Sequence, residues 1–157
     1  YMIPFLMMAA EAVKASSEYL MGQIPKDQIS KPIGTVVIGT VEGDIHDIGK
    51  NILIAVLEAG GFKVHDLGVN VVAERFIDEA ERVGADIIGL SALMPPTMIN
   101  QRFFLEKLLE RGLRDRYKVA VGGCPTSEEW RKEIGADLWG ADAVDSLEKM
   151  KKLMKQG

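Results

Sequence analysis

His46 stands between two aspartates in a glycine-flanked run, Val41-Glu42-Gly43-Asp44-Ile45-His46-Asp47-Ile48-Gly49-Lys50. A histidine so placed can be a metal ligand, a general acid or base, or a loop residue with its hydrogen bonds satisfied. Asp44 lies two residues before it, and in a loop it can curl back and accept from the imidazole. That would fix the tautomer and make the other ring nitrogen a better donor to a metal. Asp44 or Asp47 can equally cap a helix that starts at Gly49, where a glycine lets a bulky ligand come close. Two further runs carry suitable groups. Ser91-Ala92-Leu93-Met94-Pro95-Pro96-Thr97 offers two hydroxyls, each also suited to capping a helix. Gly122-Gly123-Cys124-Pro125 offers a double glycine, which is either a turn or a place where a flat group can slide between sheet and helix.

These runs need a scaffold that gathers them. From residue 35 onward, short apolar stretches alternate with amphipathic ones. Strands are expected at 35–40, 62–67, 86–91, 117–121 and 137–139. Helices are expected at 49–59, 73–83, 96–111, 127–134 and from about 142 to the end. Ser127 caps the fourth of these, with Glu128 and Glu129 in its first turn. Five strands alternating with five helices predict an α/β fold with a doubly wound five-stranded parallel sheet, Rossmann-like or flavodoxin-like. Ligands in such folds sit beyond the carboxyl ends of the strands. The segments there are 41–48, 92–97 and 122–126, which contain the three runs. Before the sheet, residues 5–22 read as a helix, opened by Pro4 and closed by Gly22. Phe5, Met8, Ala9, Ala12, Val13, Ser16, Tyr19 and Leu20 fall on one side. Residues 24–34 read as a linker with two prolines.

Composition narrows the classes. The chain has 157 residues, 47% of them hydrophobic, and a net charge of −4 from 19 basic and 23 acidic residues, so a single globular domain with a small appendage is expected. No basic stripe suggests a nucleic-acid surface, and no run approaches a membrane span. The apolar start has neither a basic region nor a cleavage site, so it is not read as a signal peptide. The chain begins at Tyr1, as expected of a trimmed or truncated product. One cysteine, Cys124, excludes an internal disulfide and fits a reducing cytoplasm; a small packing residue is its expected role. Two histidines, His46 and His65, exclude a multi-histidine zinc site within one chain. A phosphate cradle, a dinucleotide fingerprint and a nucleophile elbow are all absent.

Asp44-x-His46-x-x-Gly49, then 41 residues (50–90), Ser91-x-Leu93, then 28 residues (94–121), and Gly122-Gly123 together resemble the cobalamin-binding domain of methionine synthase and of the corrinoid proteins of three-component methyltransferases. The string GDIHDIGKNIL is similar to the methyltransferase branch. The resemblance covers residues 31–157, and residues 1–30 look like the last helix and linker of the helical cap that precedes this domain in the family. Met7, Met8 and Met21 of that segment carry no assigned role.

The resemblance implies a methyl carrier that binds cobalamin base-off, with His46 as the lower axial ligand to cobalt. Asp44 and Thr97 would continue a hydrogen-bonded relay behind it. Gly43, Ile45, Asp47, Ile48, Gly49, Ser91, Leu93, Gly122 and Gly123 would complete the cofactor site, with Ser91 and the double glycine in the slot for the displaced nucleotide tail. Pro95 departs from the threonine common in methionine synthases, so one hydrogen bond to the cofactor is in doubt. The cofactor would cycle between cob(I)alamin and methylcobalamin. Its implied partners are a donor-specific methyltransferase, an acceptor methyltransferase serving tetrahydrofolate or a thiol, and a reductive activator; neither nucleic acid nor membrane is expected. Two other readings stay open. An adenosylcobalamin mutase domain often carries arginine where Ile48 stands. A signalling receiver would need a lysine after the fifth strand, and none follows Trp139 at the right place.

Overall fold

The computed structural model describes residues 31–155 and, before them, residues 5, 8, 9, 11, 12, 15, 16 and 19. Contacts divide the chain into two units, 1–32 and 33–157. In the first, the described residues from 5 to 19 are helical and exposed, including Phe5, Met8 and Tyr19. The apolar side expected of helix 5–22 is therefore not packed at those positions. Pro4, Met7, Val13, Leu20, Met21 and Gly22 lie outside the described residues.

The second unit alternates strand and helix throughout. Its elements are β1 (Thr35–Thr40), α1 (Ile48–Ala59), β2 (Lys63–Asp66), α2 (Ala73–Val83), β3 (Ile87–Ser91), α3 (Pro95–Glu110), β4 (Lys118–Gly122), α4 (Glu128–Ile134), β5 (Leu138–Trp139) and α5 (Ala143–Lys155). The sheet is fully parallel, in the order β2-β1-β3-β4-β5. That is the doubly wound flavodoxin-like order, whose switch point lies between β1 and β3.

Central strands buried on both faces must be apolar throughout, and Val36, Val37, Ile38, Ile87 and Ile88 are at most 2% exposed. Their side chains alternate between two cores. Val37, Ile88, Val119 and Val121 pack with Phe76, Ile77, Phe104 and Leu108 of α2 and α3, and Trp130 and Ile134 of α4 join the same core. Val36, Ile38, Ile87 and Ala120 pack with Leu57 of α1 and Met150 of α5. So α2, α3 and α4 cover one face, and α1 and α5 the other.

Local chemistry sets the helix ends. Ser127 caps α4 by accepting from Trp130 N at 3.2 Å. Two prolines open α3, where their missing N–H costs nothing. The second strand is shorter than the pattern predicts: Phe62 N donates back to Leu57 O of α1 at 3.0 Å, and the register with β1 ends at Asp66. Among the described residues, no helix is long and apolar enough to cross a membrane.

Candidate functional site

The loop after β1 is pinned before it reaches α1. Thr40 Oγ1 donates to His46 O at 2.9 Å, Gly43 N to Asn70 Oδ1 at 2.8 Å, and Asn100 Nδ2 to Glu42 O at 2.7 Å. Asp44 turns inward and is 0% exposed. Its Oδ1 accepts from His46 N at 3.0 Å and faces His46 Nδ1 at 2.7 Å. Its Oδ2 accepts from Leu93 N at 2.8 Å, Met94 N at 3.3 Å and Thr97 Oγ1 at 2.6 Å. The Thr97 hydroxyl also lies 2.9 Å from Met94 O, but its one proton goes to the shorter, anionic partner.

Burial alone would push the Asp44 carboxyl up. Hydrogen bonds from Thr97, from the His46 amide and imidazole, and from Leu93 outweigh it and hold the carboxyl well below the usual carboxylate range. An ionised carboxylate only accepts. The shared proton therefore sits on His46 Nδ1, and in the neutral ring the lone pair is then on Nε2, on the far side. The His46 side chain is 45% exposed.

That exposed side looks onto a groove of about 850 Å³ that runs from the carboxyl edge down between the sheet and its α1–α5 layer. Its mouth is formed by Ile45, His46, Asp47, Ile48, Gly49 and Leu93. Its sheet wall is formed by Ile38, Gly89, Leu90, Ser91, Ala120, Gly122 and Gly123, and its far wall by Gly140, Ala143, Ser146 and Met150. A Cβ on Gly122 would meet nothing within 4 Å, so this glycine borders open space. Among the described residues, no group of three His, Cys, Asp or Glu could hold a metal ion. A metal here would find fewer than three protein ligands among the described residues, and its other ligands would come from elsewhere. A large, flat-ended ligand that brings its own equatorial donors suits this donor set and this groove.

Residues 34–148 match the family described as B12 binding domain. The chain belongs to the B12-binding domain family. This B12-binding domain is 51% identical over 154 residues to a corrinoid protein of Desulfitobacterium hafniense, covering 97% of this chain and 71% of the relative. It is 45% identical over 152 residues to dimethylamine corrinoid protein 3 of Methanosarcina mazei, covering 97% and 91%. Among solved structures, a methanol:cobalamin methyltransferase complex from Methanosarcina barkeri aligns with a TM-score of 0.82 at 30% identity, covering all of this chain and 59% of that one. The cofactor of this B12-binding domain is a corrinoid. A response-regulator receiver domain from Mycobacterium tuberculosis shares the fold alone, at 14% identity and a TM-score of 0.56.

In this B12-binding domain Ile45, His46, Asp47, Ile48, Gly49, Ser91, Leu93, Gly122 and Gly123 line the groove. Gly43, Asp44 and Thr97 do not line it; Asp44 and Thr97 reach it through His46 and the Leu93 amide, and Gly43 is tied to Asn70. Asp47 occupies the N-cap position of α1 but makes no side-chain cap bond there. Met94 rather than Ser91 or Thr97 is the N-cap of α3. Cys124 is exposed and lines the groove, not packed inside as its size suggests. The groove's floor and far wall, from Gly89 and Ala120 to Ser146 and Met150, escape the motif. One signal for them is a glycine in the middle of an otherwise apolar central strand, Ile87-Ile88-Gly89-Leu90.

Proposed function

We propose that this chain is a methyl carrier that holds cobalamin base-off, with His46 Nε2 as the lower axial ligand to cobalt. One observation carries the reading: a buried, ionised Asp44 accepts from Nδ1 and so makes Nε2 the nitrogen free for a metal in a residue that lines the groove. When bound, the cofactor supplies a cobalt centre that takes a methyl group from a donor and gives it to an acceptor. The chain's own residues do the rest. Thr97 and the Leu93 and Met94 amides keep Asp44 ionised, and Asp44 keeps the imidazole oriented. A proton taken up at Nε2 would occupy the lone pair that ligation needs, so ligation and protonation there exclude each other. Ser91, Leu93, Gly122 and Gly123 border the slot proposed for the displaced nucleotide tail. Gly49 keeps the start of α1 clear.

The carrier would work with a donor-specific methyltransferase, an acceptor methyltransferase serving tetrahydrofolate or a thiol, and a reductive activator. Residues 1–30 would belong to the helical cap and linker preceding the cofactor domain at 31–157.

The decisive experiment is electron paramagnetic resonance of the cobalt(II) form in protein labelled with nitrogen-15 histidine. Only His46 and His65 can respond. The expected result is an altered axial-nitrogen splitting that persists in His65→Gln and vanishes in His46→Gln. A splitting indifferent to the label would overturn the assignment.

A further inference from the structure

The rim of the groove between β3 and β4 is held by a side chain that does not line it. Gln101 of α3 is 0% exposed. Its amide nitrogen donates to two carbonyls, Leu90 O at 2.9 Å and Gly122 O at 3.1 Å. An amide NH₂ has two protons, so one side chain satisfies both strand ends. Its oxygen accepts from Trp130 Nε1 of α4 at 2.9 Å. Trp130 lies under the Arg102 guanidinium, 4.9 Å from the ring centroid, and Arg102 pairs with Glu133.

Because α3 and α4 cover the other face of the sheet, this tie acts from behind. Two features close the same junction. Ala92 N donates to Gly122 O at 3.0 Å. Gly123, at φ +119°, sits so close to Ala92 that a Cβ would fall 1.7 Å from the Ala92 carbonyl oxygen. Leu90, Ser91, Gly122 and Gly123 all line the groove. Neighbouring strands rotate relative to one another as a sheet twists, and their ends are free to splay where the ladder stops. A leucine or methionine at position 101 would fill the volume without the desolvation cost of a buried amide. What an apolar side chain lacks is the tie between the two carbonyls.

We propose that Gln101, braced by Trp130, is a positioning residue for the corrinoid's nucleotide tail, setting the width of the β3–β4 rim before the tail enters. This rests on the reading of the groove as the tail slot. A rim fixed in advance loses no freedom when the tail threads past it, and a loosened rim must be ordered at binding.

The test is equilibrium binding of cobalamin and of cobinamide, the same corrin without the nucleotide, to the full chain and to Gln101→Met and Trp130→Phe. Gln101→Met is expected to weaken cobalamin about tenfold and cobinamide less than about twofold, because only the tail meets the rim. Trp130→Phe keeps the ring under Arg102, removes the Nε1 donor and should lower the ratio by a smaller factor. It also carries the test if Gln101→Met does not fold. Equal losses for both corrinoids, or an unaltered ratio, overturn the proposal. A wild-type chain that binds both corrinoids equally removes the tail-slot reading and this proposal with it. A wild type that prefers cobalamin, with the preference unchanged in the variants, removes the proposal alone.

Discussion

Asp44 collects donors from its own loop and from the start of α3, and so ties the two segments of the edge together. Asp44→Asn keeps the shape but turns an amide toward groups that all donate. It should lower stability by about 2–4 kcal/mol in urea denaturation. The pH dependence has a definite sign. A carboxyl held low in the folded state contributes stability above its unfolded value, about pH 4, and that stability is lost as the pH falls toward the folded value. The wild type should therefore lose stability on acidification below about pH 4 more steeply than Asp44→Asn; parallel curves would exclude this carboxylate as the cause. With cobalamin bound, the same substitution should shift the cobalt(II)/(I) potential or its pH dependence, and unchanged values would remove the relay. At this scale the sequence was readable where partners are close in the chain. Asp44 and His46 are two residues apart, so their contact follows from a tight loop. Gln101 and Trp130 look like ordinary helix residues until β3 and β4 are paired.

Adjacent glycines at the end of β4 serve different ends. Gly123 is pressed against the Ala92 backbone at positive φ, so Gly123→Ala should cost more than about 3 kcal/mol or displace the β3–β4 junction. Gly122→Ala meets no atom, so it should change stability by less than about 0.5 kcal/mol while weakening cobalamin binding by narrowing the groove. Urea denaturation beside a cobalamin titration separates the two. Equal effects in both assays would contradict the division of labour. The double glycine was visible in the sequence, but this asymmetry was not, since it depends on what each Cβ would strike. The fully apolar runs of β1 and β3 announce a buried parallel sheet, and the short strand expected at 137–139 is found as β5, two residues long, paired with Ala120 and Val121. The groove's floor stayed hidden because Ile38, Gly89 and Ala120 become neighbours only through strand register.

The molecule as a whole divides at residue 32, and the second unit holds the sheet, both cores and every residue of the groove. A chain starting at Lys31 should therefore match the full chain's urea midpoint to within about 0.5 kcal/mol and still take up cobalamin. A clear loss of stability or of colour would mean that the first unit supports the second. The sheet's topology also dictates an order of assembly. Three of the groups that hold Asp44, the Leu93 and Met94 amides and the Thr97 hydroxyl, lie 49 to 53 residues further along the chain. On the ribosome Asp44 and His46 are made long before Leu93 and Thr97, and the carboxylate behind the ring gains its distant donors only once β3 has zipped alongside β1. The proposed ligation by His46 is then expected to follow that pairing rather than to precede it. A zinc finger, by contrast, is nucleated by its ion.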